Sequence, residues 1–142
     1  MNIKLFLCLF FFSTYSWPCK PTPGPHRTLQ QNYSAAQLVL TGKIIEVSGE
    51  GLIRKIKIDV AKIYKGKAGN QIEALTSPNT CNPLGDYAKP GDQCAFIIDE
   101  KSHIMSGINV GVATDCAKNQ TPEIIRDFNR DWDKQLSPLI SR

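Results

Sequence analysis

Two histidines and five cysteines are the residues of this 142-residue chain best suited to chemistry. His26 lies in a proline-rich stretch and His103 at an expected hairpin. Neither neighbours a cysteine, serine or acidic pair in a catalytic arrangement. No His-x-Glu or His-x-x-x-His spacing offers zinc ligands, and Gly-x-Ser-x-Gly is absent. Asp131 and Asp133 fit the solvated surface of a helix. The residues thus describe a protein that is not an enzyme and needs no cofactor or metal of its own.

The cysteines read differently once a leader is recognised. Lys4 precedes an unbroken apolar run, Leu5 to Phe12, and Thr14 and Ser16 are small residues at the −3 and −1 positions. This is the layout of a secretory signal peptide, residues 1–16, with cleavage after Ser16. Cys8 leaves with it. Cys19, Cys81, Cys94 and Cys116 remain, an even number suited to an oxidising compartment. Four cysteines allow three pairings, and the sequence does not choose between them. A zinc site is the competing use, but no Cys-x-x-Cys knuckle is present. Asn32-Tyr33-Ser34 and Asn119-Gln120-Thr121 are possible N-glycosylation acceptors.

Composition bounds the remaining classes. A hydrophobic content of 42% and a charged content of 21% are those of a globular domain. No second apolar stretch approaches the ~20 residues of a membrane span, so a secreted, extracellular, monomeric protein is expected. A net charge of +4, scattered along the chain, argues for no nucleic-acid partner.

Mostly strands must position these residues. Trp17 to Pro25 holds four prolines and reads as a stiff extended arm. Leu38 to Val47 reads as a strand, Ser48 to Gly51 as a turn, and Lys55 to Val60 as a half-buried strand of alternating residues. The alternation slips at Ala61 and Lys62, which predicts a β-bulge. Tyr64 to Asn70 should connect, Gln71 to Thr76 and Cys94 to Asp99 should be strands, and Ser77 to Asp92 a long loop. His103 to Val112 completes the set. Near the C-terminus, Thr121, Pro122 and Glu123 open a helix. Ile124, Ile125, Phe128, Trp132 and Leu136 form its apolar face, and Pro138 should end it, leaving 138–142 as a tail. Five strands and one helix predict a small closed sheet with a packed helix.

A family resemblance follows from these residues. Ala35 to Ile44, then Ile56 to Gly66 closing on Tyr64-Lys65-Gly66, resembles the netrin module. Thr76 to Cys81, Pro90-Gly91-Asp92 before a strand, and Asp115-Cys116 before a helix containing Trp132 keep the same order. The module is shared by tissue inhibitors of metalloproteinases, the C-terminal domains of netrins and, in related form, the N-terminal domain of agrin. The resemblance covers Trp17 to about Leu136, within a single domain at 17–137. It implies a mainly β, OB-type five-stranded barrel with a C-terminal amphipathic helix, stapled by disulfides.

The family opens its mature chain with Cys-x-Cys, and here Trp17 stands at the first of those positions and Cys19 at the second. The resemblance therefore implies Cys19–Cys116, with Cys81–Cys94 replacing the lost first pair; Cys19–Cys81 with Cys94–Cys116 is the alternative. It implies inhibition of zinc metalloendopeptidases by an arm of Trp17, Pro18 and Cys19, flanked by Pro78, Asn79 and Thr80. The Trp17 amine would bind the zinc of the target. A non-inhibitory module that binds extracellular matrix or cell-surface proteins is the second expectation.

Overall fold

The computed structural model describes residues 28–50, 53–76, 89–99, 103–104, 114–117 and 120–141. The expected leader and the proline-rich arm lie outside them. Among the described residues are two helices, α1 (Leu29–Ala35) and α2 (Pro122–Ile140). The strands are β1 (Leu38–Ser48), β2 (Lys55–Lys65), β3 (Gln71–Thr76), β4 (Gln93–Ile98), β5 (His103–Ile104) and β6 (Thr114–Cys116).

The sheet closes on itself. β1 pairs antiparallel with both β2 and β4, β2 with β3, and β4 with β5, while β3 and β5 run parallel. The circuit β1–β2–β3–β5–β4–β1 is a closed five-stranded barrel of OB type. β1 takes one edge of β4, and β5 and β6 share the other.

Alternation in the sequence explains the filling of the barrel. Leu40, Ile44, Ile56, Ile58, Phe96 and Ile104 point inward and are buried. Each such side chain contributes about 1.5–3 kcal/mol when removed from water. Bending the β1–β2 ribbon needs extra residues. Thr41 pairs with Lys62 and Gly42 with Val60, which leaves Ala61 as the expected bulge. Two further register shifts fall at Tyr64 and Ile45. Gly42 is required where β1 crosses β2, because a Cβ there would lie 2.5 Å from the Asp59 carbonyl oxygen and 2.7 Å from Ile58 Cγ2.

β4 is buried along its whole length because both of its faces are covered. Cys94, Phe96 and Ile98 fill the barrel. Ala95 and Ile97 face outward and join Ala36, Val39, Tyr64, Trp132 and Leu136 in a second cluster beneath α2.

Several local expectations are corrected. Helix α1 was not foreseen; Thr28 and Gln31 form a capping box, with Gln31 N–H donating to Thr28 Oγ1 and Thr28 N–H to Gln31 Oε1. Tyr64 and Lys65 end β2 rather than opening a loop, since pairing with Val39 extends the ladder to Lys65. Pro138 does not end α2, which runs on to Ile140, so 138–140 belong to the helix rather than to a tail. The proline forfeits a bond to the Lys134 carbonyl, but Leu139 beyond it packs against the second cluster. Ile124 is 39% exposed and is not part of the apolar face. β6 was unforeseen, and of the expected strand His103 to Val112 the described part is β5.

Candidate functional site

Cys94 and Cys116 stand directly opposite each other on β4 and β6 and form a disulfide, with their Cα atoms 4.0 Å apart. This overturns the implied Cys19–Cys116 and Cys81–Cys94 pairs. The reason is the unforeseen strand: β6 lies against β4 and brings Cys116 to Cys94. Cys94 is completely buried on the barrel side of β4, and Cys116 packs beside it.

Next to Cys94, Gln93 ties three elements together. Its carbonyl accepts from Ala117 N–H, and its own N–H donates to Gln120 Oε1 at 2.9 Å. Gln120 Nε2 donates to the Ala117 carbonyl, and Gln93 Nε2 reaches Asn129 Oδ1 of α2 at 3.5 Å. Ala117 and Gln120 are thereby held against the end of the barrel.

A second polar cluster fastens the middle of α2. Asp133 Oδ1 accepts from Tyr64 Oη at 2.7 Å and pairs with Lys62 Nζ at 2.6 Å. Lys62 Nζ also lies 5.0 Å from the centre of the Tyr64 ring. Burial, reinforced by the hydrogen bond and charge of Asp133, pushes the Tyr64 phenol well above its ordinary value. The hydrogen bonds from Lys62 and then Tyr64 hold Asp133 below the usual carboxylate range. These contacts tie the end of β2 to the middle of α2. On the neighbouring surface, Tyr33 Oη donates to the Tyr64 carbonyl and Lys65 Nζ to the Tyr33 carbonyl, which fixes α1 to β2.

Trp17, Pro18, Cys19, Pro78, Asn79, Thr80, Cys81 and Asn119 lie outside the described residues. Asn32 is placed by α1 and is only 4% exposed, with no hydrogen-bond partner for Nδ2. That burial overturns its expected role as a glycan acceptor, because the amide nitrogen that would carry the sugar is enclosed. Among the described residues no group of three or more His, Cys, Asp or Glu side chains could hold a metal ion. No described helix is long and apolar enough to cross a membrane. Sequence reasoning missed Asp133 and Tyr64; the one signal available was that Asp133 flanks Trp132 at the border of the apolar face.

No family model matches the chain, and no curated protein matches it. Among solved structures it is similar to Schizosaccharomyces pombe Pot1pC bound to single-stranded DNA, at 14% identity and a TM-score of 0.39, covering 77% of this chain and 99% of that one. That structure holds single-stranded DNA, and the exclusion of nucleic acid drawn above from net charge is set aside. A likeness this distant says nothing of what this chain itself binds.

Proposed function

We propose that the mature protein is a secreted inhibitor of zinc endopeptidases that begins at Trp17. What supports this is the order of elements. A closed OB-type barrel is followed by Cys116 and an amphipathic helix, the order that the resemblance to the netrin module implies. A catalytic zinc keeps one ligand position open for water. The α-amine and carbonyl of Trp17 would occupy it; such an amine titrates near pH ~8, so its neutral form is accessible to the metal. Pro18 would enter the specificity pocket of the target, with Pro78, Asn79 and Thr80 beside the arm. A pinned arm loses little entropy on binding.

One observation favours the second reading, a non-inhibitory module for matrix or cell-surface proteins. Cys94 takes the partner implied for Cys19, so the arm is not anchored at β6. Both are tested together by assaying a panel of zinc endopeptidases with the secreted protein, with its acetylated form and with one alanine added before Trp17. Inhibition by the free amine alone supports the first reading. Equal inhibition by free and blocked forms rules out the zinc-ligand mechanism, and no inhibition by the free form favours the binding module.

A further inference from the structure

We draw no further inference here: the strongest candidate, the open groove along α2 lined by Pro122, Ile125, Arg126, Asn129, Arg130 and Asp133, carries nothing because Arg130 is already paired with Asp127 and Asp133 with Lys62, so its charge selects no partner, and nothing in the structure shows what covers it.

Discussion

The hydroxyl of Tyr64 donates a 2.7 Å hydrogen bond to Asp133, 69 residues later in the chain. Through it the last turn of the β1–β2 ribbon holds the middle of α2, directly beside the buried Trp132. The bond is accepted by a carboxylate that also carries Lys62, so two donors from β2 meet one oxygen of the helix.

Removing the hydroxyl should therefore cost more than removing the ammonium. Hydrogen bonds to charged groups contribute about 1.5–3 kcal/mol when sheltered, whereas an exposed ion pair contributes about 1 kcal/mol or less. The Lys62 and Asp133 side chains are 53% and 41% exposed, while Tyr64 is buried. Tyr64→Phe is expected to lower stability in urea by about 1–2 kcal/mol, and Lys62→Ala by less. If the two variants unfold at the same midpoint, the hydroxyl bond has no special weight.

The same pair sets two limits on pH. Tyr64 is raised in the folded protein, so its contribution is complete below the ordinary tyrosine value near ~10 and is lost as pH climbs beyond it. Asp133 is lowered, so its contribution is present above the ordinary carboxylate value near ~4 and is lost as pH falls below that. Its exposure keeps the acid effect small. Thermal midpoints measured across pH should drop more steeply above pH ~10 in the wild type than in Tyr64→Phe. Parallel alkaline limbs in the two proteins would remove Tyr64 from the explanation.

How much of this was legible in the sequence follows from the kind of signal involved. Lys55 to Val60 alternates because one side of a barrel strand faces the core, and Ala61 breaks the alternation because a bulge must. Local period was enough there. Ile124 has the right helical spacing for the apolar face, yet it is 39% exposed and stands outside the cluster that buries Trp132. β6 is too short to carry a period, and it alone decides the partner of Cys116. The family register for the cysteines failed for that reason. Tyr64 and Asp133 meet across 69 residues of chain, and neither segment's pattern records its partner.

Close packing at two sites gives graded expectations. Gly42→Ala puts a methyl group 2.5 Å from the Asp59 carbonyl oxygen in the β1–β2 ladder. Backbone cannot yield there without breaking the ribbon, so expression of folded protein should fall sharply. Leu136, 1% exposed at the centre of the second cluster, should cost about 2–5 kcal/mol as Leu136→Ala. Because α2 covers the outer face of β4 rather than filling the barrel, that variant should keep a strand-type circular dichroism spectrum while its helical signal weakens. Loss of both signals together would mean that the barrel does not hold without its helix.

The glycan question has a direct answer in α1. Asn32 Nδ2 is enclosed and unpaired, and a sugar on it could not be accommodated with α1 docked through Tyr33 and Lys65. Peptide mass mapping of protein secreted from a glycosylating host should find Asn32 unmodified in the folded fraction. A glycosylated Asn32 in monomeric, protease-resistant protein would show that α1 is not docked as described.

The disulfide map is the sharpest check, because the cysteines can be separated by cleavage. Cutting before Asp86 or Asp92 parts Cys81 from Cys94, and cutting after Lys101 parts Cys94 from Cys116. Non-reducing digestion should return Cys94 joined to Cys116, since the residues are direct partners across β4 and β6. If Cys8 leaves in a leader, Cys81 is the cysteine left for Cys19, and a Cys19–Cys81 peptide is expected. The consequence reaches the proposed arm. Such a bond would tie the arm to the chain next to Pro78, Asn79 and Thr80, the residues expected to flank it, so the arm would keep an anchor after losing the one at Cys116. A Cys19–Cys116 peptide would contradict the β4–β6 pairing itself. Free thiols at Cys19 and Cys81 beside an intact Cys94–Cys116 would leave the arm untethered, and the case for a pinned zinc ligand at Trp17 would fall with it.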